Sequence, residues 1–128
     1  MHSTLIVEDN PIFRSSLRDI LLSHFPRMQV LEAENGSEAL EKLRKDIPDV
    51  VFMDVRLPGQ NGLELTRKIK AAYGDVAVII LTSYDLPEYR EAAFQCGADH
   101  FCVKGSTTGE EIVGIVGSLL VERGEKLP

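Results

Sequence analysis

The chain has 128 residues, 44% hydrophobic and 27% charged, the size and balance of one globular domain with a core of its own. A formal net charge of −6 and a pI near 5.0 argue against a surface built for nucleic-acid backbones or anionic lipid headgroups. No apolar run approaches the ~20 residues that span a bilayer, and two cysteines are too few for a disulfide scaffold.

Met1-His2-Ser3-Thr4 enters an apolar run without a basic n-region, long h-region or cleavage site, so the cytoplasm is the expected compartment. From there, short apolar runs alternate with amphipathic ones, the βα repeat of a parallel sheet covered by helices on both faces. Five strands are predicted, over Thr4–Glu8, Met28–Ala33, Asp49–Asp54, Val76–Thr82 and Asp99–Val103.

Asn10-Pro11 supplies an N-cap and a proline at the first helical position, after which Phe13, Leu17, Ile20 and Leu21 share one face of a first helix. The first, third and fourth strands are uninterrupted apolar runs, as strands buried on both faces must be. The second carries Gln29 and Glu32 and the fifth carries His100, which marks them as edges. That distribution predicts a flavodoxin-like, doubly wound five-stranded α/β fold with strand order 2-1-3-4-5.

Thr107 and Glu110 have capping-box spacing at the start of the last helix, where Ile112, Ile115, Val116, Leu119 and Leu120 form the apolar stripe. Gly114 and Gly117 each weaken that helix by about 1 kcal/mol relative to alanine. Flat packing against a partner and a tolerated defect both account for them. A polar tail from Glu122 to Pro128 completes a single domain expected over residues 1–128. Cys96 and Cys102, with His100 between them, are one donor short of a structural zinc site and read as reduced thiols.

Ligands of an open parallel sheet bind beyond the carboxyl ends of its strands, where strand order reverses. Here the first strand ends in Glu8-Asp9, the third in Asp54, the fourth in Thr82-Ser83 and the fifth runs into Lys104. Taken singly, each has an ordinary explanation as a cap, a helix-dipole partner or a solvated lysine. Together they bring three carboxylates into one small volume, where like charges repel unless a cation sits among them. Hard oxygen donors without imidazole or thiolate favour Mg²⁺ retaining some water, with Mn²⁺ as a substitute. Three carboxylates, one lysine and a divalent ion sum to about zero, so the site suits a phosphoryl group and Asp54 is the candidate nucleophile.

The acidic pair after Leu5-Ile6-Val7, the aspartate in DVVFMDVRLPGQNGLEL, Thr82 in VIILTS and GADHFCVKGS around Lys104 together resemble the receiver domain of two-component response regulators. The resemblance covers nearly the whole chain. It implies that Glu8 and Asp9 help bind Mg²⁺, that Asp54 is the phosphoacceptor and that the carbonyl of Arg56 is a further metal ligand. Thr82 and Lys104 would contact the phosphoryl oxygens, and Phe101 stands at the position of an aromatic switch. The implied donor is a sensor histidine kinase or a histidine phosphotransfer domain. Phosphorylation would alter the face made by the fourth helix, fifth strand and fifth helix, to control an output domain, a partner or a homodimer. On this reading the chain is a switch that catalyses only its own phosphorylation and dephosphorylation.

Gly105 departs from the proline common after the lysine in that family. A cis bond there would cost about 2.5 to 4 kcal/mol, so a trans bond and a differently shaped loop are expected. Lys-Gly-Ser at this point resembles regulators with a helix-turn-helix output domain. Arg56 and Tyr84, two residues beyond Asp54 and Thr82, are long enough to obstruct water near the phosphoryl group. Two other chemistries compete: a haloacid-dehalogenase-type phosphatase would want an acid where Arg56 stands, and an FMN carrier would want a phosphate-cradling loop where Glu8-Asp9 would repel it.

Overall fold

Strand β1 (Ser3–Val7) is buried along its whole length, because it lies inside the sheet and is covered by helices on both faces. The computed structural model describes residues 2–122. Parallel strands β2 (Gln29–Ala33), β3 (Val50–Met53), β4 (Ala77–Thr82) and β5 (His100–Val103) complete a sheet of order β2-β1-β3-β4-β5. This is the flavodoxin-like arrangement, with the two interrupted strands at the edges as expected. Alternate side chains feed two cores. Leu5, Val7, Val51, Met53, Val78 and Ile80 point to one, Ile6, Val50, Phe52, Ile79 and Leu81 to the other.

Helices α1 (Pro11–His24) and α5 (Gly109–Glu122) cover the second core through Leu17, Leu21, Ile112, Val116 and Leu120. Helices α2 (Gly36–Lys45), α3 (Gly62–Ala72) and α4 (Pro87–Gln95) cover the first. The α4 helix is the most weakly anchored: Ala93 is its one buried residue and its N-cap, Leu86, makes no side-chain capping bond. Among the described residues no helix is long and apolar enough to cross a membrane.

Asn10 caps α1 as expected, its side chain accepting from the backbone N–H groups of Ile12 and Phe13. The capping box of α5 lies one residue later than its sequence spacing suggested. Thr108 Oγ1 accepts from the Glu111 N–H while the Glu111 carboxylate accepts from the Thr108 N–H, both at 3.1 Å. Thr107 is unavailable as the cap because its hydroxyl accepts from the Val103 N–H and closes the β5–α5 loop. Glu122 ends α5 rather than opening a tail, and the remainder of that expected tail lies outside the described residues.

β1 keeps its expected length but starts and ends one residue earlier than predicted, and the other four strands are shorter than predicted by one or two residues at their ends. Pairing in β3 stops at Met53, so Asp54 is the first residue beyond the strand, although its N–H still donates to the Val7 carbonyl at 3.2 Å. Pro58-Gly59 forms the tip of a small two-residue antiparallel ladder, Arg56–Leu57 against Gln60–Asn61. Gly59 has φ 69° and Gly105 has φ 85°, conformations that favour glycine. No peptide bond among the described residues is cis, in line with the trans bond expected before Gly105.

Candidate phosphoryl-transfer site

Where β1 leaves the sheet, the chain delivers two acids with opposite exposures: Glu8 is buried and Asp9 exposed. The Glu8 N–H donates to the Ala33 carbonyl at 3.0 Å, and its carboxylate accepts from the Asn10 N–H at 3.0 Å. Asp54 follows β3 and is 8% exposed, so it is reachable but surrounded by protein. One carboxylate oxygen from each of Glu8, Asp9 and Asp54 lies within 4.8 Å of the others. That spacing and an all-oxygen donor set fit a small hard divalent cation.

Lys104, carried just past the end of β5, reaches into this cluster. Its ammonium donates to Glu8 and lies 3.2 Å from Asp54 Oδ2. Burial alone would lower the lysine's proton affinity. The hydrogen bond to Glu8 and the charges of Asp54 and Glu8 outweigh that, and its pKa stands above the usual lysine value. For Glu8 the balance falls the other way: burial, aided by the charge of Asp54, raises its carboxyl above the ordinary 4.5, against the hydrogen bonds from Lys104 and Asn10. Lys104 therefore keeps its proton, while burial works against ionisation of Glu8.

Two aromatic contacts frame the pocket. The Lys104 ammonium sits over the Phe13 ring, 4.4 Å from its centroid, and the Arg56 guanidinium sits over the Tyr84 ring at 4.5 Å. The Tyr84 ring in turn lies 5.8 Å from that of Tyr89. Thr82 ends β4, fully buried, its hydroxyl accepting from the Tyr84 N–H at 3.3 Å while its carbonyl accepts from the Lys104 N–H at 2.8 Å. Phe101 is buried in the core under α4, and the Arg90 guanidinium lies 4.7 Å from its ring centroid.

The structure therefore gathers Glu8, Asp9, Asp54 and Lys104 at one point, with Thr82 at the neighbouring strand end. Phe101 lies apart, on the α4 side of β5. Cys96 and Cys102 are free thiols away from this cluster, and burial pushes the Cys102 thiol up.

Sequence reasoning passed over three residues that hold this site. Phe13 was assigned only to the apolar face of α1. Arg14 donates to the Glu8 carbonyl at 2.6 Å. A cation in the first turn of a helix opposes the helix dipole, an anomaly that could have flagged it. Gly62 packs so close behind Asp54 that a Cβ on it would overlap the Asp54 carbonyl oxygen. Its sequence signal was a glycine right after an N-capping asparagine.

Residues 4–116 match the family model of the response regulator receiver domain. The chain is 33% identical over 115 residues to Response regulator GacA of Pseudomonas viridiflava, covering 90% of this chain and 54% of GacA, so it spans about half the length of that curated relative. Among solved structures, a two-component response regulator of the LuxR family from Aurantimonas sp. SI85-9A1 is similar with TM-score 0.84 and 32% identity, covering 98% of this chain and 89% of that one. The BeF3-activated receiver domain of DrrB is similar with TM-score 0.86 and 26% identity, covering 94% and 98%. A match that starts in β1 and reaches into α5 takes in every core strand, and the chain belongs to the response regulator receiver domain family.

Proposed function

We propose that this chain is a phosphorylation-dependent switch of a two-component system, accepting a phosphoryl group on Asp54. The observation that carries this reading is the Lys104 ammonium bridging Glu8 and Asp54 across three different strands, inside a cluster of three carboxylates. Glu8, Asp9 and Asp54, with the Arg56 carbonyl, would hold Mg²⁺, or Mn²⁺ in its place. When bound, the ion supplies positive charge against the carboxylates and against the charge that develops on the phosphoryl oxygens.

The remaining chemistry belongs to the side chains. An Asp54 carboxylate oxygen attacks phosphorus in a phosphohistidine of a sensor kinase or phosphotransfer domain. The P–N bond breaks and the imidazole leaves with its electron pair. Position and neutralising charge, rather than a base, activate a carboxylate nucleophile. Lys104 stays protonated and moves its hydrogen bonds toward phosphoryl oxygens. The Thr82 hydroxyl exchanges its contact with the Tyr84 N–H for one with the same group.

Movement of Thr82 and Tyr84 changes the loop that leads into α4, the helix with the weakest hold on the core. Phe101 and the Arg90 guanidinium above it connect that helix to β5, so the α4–β5–α5 face is the output surface. That face would act on an output domain, a partner or a second copy of the chain. As a receiver domain the chain would act in the cytoplasm and would itself make no direct contact with nucleic acid or membrane. A turnover phosphatase is disfavoured because Arg56, stacked on Tyr84, stands where its second acid would be.

Intact-mass spectrometry after acetyl phosphate and Mg²⁺ tests this reading. The expected result is a gain of one phosphoryl mass in the wild type, absent without Mg²⁺ and absent in Asp54→Asn. Equal labelling of the Asn variant would reject Asp54 as the acceptor.

A further inference from the structure

Glu8 sits where the chain leaves the sheet, the point at which a strand loses its ladder partners and its carbonyl must find another donor. That donor is Arg14. Its Nη1 donates to the Glu8 carbonyl at 2.6 Å, and its Nε donates to Glu32 Oε1 at 2.9 Å. Only 16% of the arginine side chain is exposed. Glu32 is a firm anchor for it. It lies in β2 opposite Ile6, and its own carbonyl accepts from Lys42 of α2. Arg14 is thus a strut from the edge strand to the backbone of the acidic loop.

From these contacts we infer that Arg14 is a positioning residue for the metal-binding acids, and that it strengthens divalent-cation binding although it is itself a cation. The inference rests on the metal-dependent reading of the site. Glu8 is fixed at three points: its N–H on Ala33, its carbonyl under Arg14, and its carboxylate on Lys104 and the Asn10 N–H. Removing the Arg14 contact frees the peptide between Glu8 and Asp9, whose orientation sets where both carboxylates point. Pre-organised donors bind a metal more tightly than mobile ones, because the ordering cost is met by the fold.

The sign of the effect separates this role from plain electrostatics. A guanidinium acting only through its charge repels a divalent ion, so its removal would tighten binding. A strut does the opposite. Arg14→Met removes both charge and contacts. Arg14→Lys keeps the charge but replaces the planar fork by one ammonium, which cannot hold the Glu8 carbonyl and the Glu32 carboxylate in the same geometry.

The test is Mn²⁺ binding to the full, unphosphorylated chain, with free Mn²⁺ counted by electron paramagnetic resonance and with Mg²⁺ as competitor. No phosphoryl donor is present, so the readout is independent of phosphorylation. Circular dichroism melts verify that each variant is folded. The expected result is Mn²⁺ binding about tenfold weaker in both variants, as for other groups that orient metal ligands. Arg14→Met binding as tightly as the wild type or tighter, or Arg14→Lys binding like the wild type, overturns the inference and leaves the metal site standing. Should Arg14→Met fail to fold, Arg14→Lys decides alone. Absence of Mg²⁺-competed Mn²⁺ binding in the wild type removes the metal site itself, and the inference with it.

Discussion

The ammonium of Lys104 lies 3.2 Å from the carboxylate of Asp54, held there from below by the face of Phe13. An aromatic face is worth at least about 0.5 to 1 kcal/mol to an ammonium, the value for exposed sites. Phe13→Leu keeps the apolar volume and removes the quadrupole. Phosphorylation by acetyl phosphate is expected to slow by about two- to fivefold, with the secondary structure unchanged by circular dichroism. An unaltered rate would mean that Glu8 and Asp54 alone position the lysine.

Glu8 makes the stability of the metal-free protein depend on pH. Its carboxyl holds a proton more tightly in the folded state than at its ordinary value of 4.5. The native state therefore binds more protons than the unfolded one just above that pH, and stability falls as pH rises through the folded-state value. Glu8→Gln removes this titration. Urea midpoints taken in EDTA from about pH 4 to neutrality should decline for the wild type relative to the variant, and parallel profiles would contradict the assignment. Lys104 acts in a separate, alkaline window: with its pKa raised, its contribution is complete below the ordinary lysine value and is lost as pH rises past the folded one.

Arg56 and Tyr84 stack on one another and stand two residues beyond Asp54 and Thr82. On the proposed reading they would obstruct the approach of water to a phosphorylated Asp54. Replacing both by alanine is expected to speed loss of the phosphoryl group several-fold, read as the decay of the phosphorylated mass after removal of the donor. Unchanged decay would assign the stack to local packing only.

Gly62 sets the position of Asp54 from behind. Its N–H donates to the Val55 carbonyl at 2.7 Å, and a Cβ there would meet the Asp54 carbonyl and lie 3.1 Å from the Val55 Cα. The neighbours are backbone and cannot rotate away. Gly62→Ala should cost about 1 to 3 kcal/mol by overpacking, seen as a lower denaturation midpoint. It should also slow phosphorylation by displacing the acceptor. Wild-type values for both would show that the loop gives way at no cost.

Burial and period are local properties, and much of this protein was legible from them. Uninterrupted runs such as Val50-Val51-Phe52-Met53 marked the inner strands, while Glu32 and His100 marked the edges, a division that matches the strand order of the sheet. The same order placed Glu8, Asp9, Asp54 and Lys104 at one end of the sheet before any distance was known. What the chain order does not encode is which of several chemically equivalent groups is used. Thr107 and Thr108 are the same residue type in adjacent positions, and only the demand of the Val103 N–H assigns the cap to Thr108. The lysine that bridges positions 96 and 50 residues away, the arginine that ties Glu8 to Glu32, and the glycine pressed against Asp54 are likewise matters of three-dimensional packing. Periodicity records which side of an element is buried; hydrogen-bond partners and close approaches depend on where distant elements arrive, and that was decided by the tertiary structure.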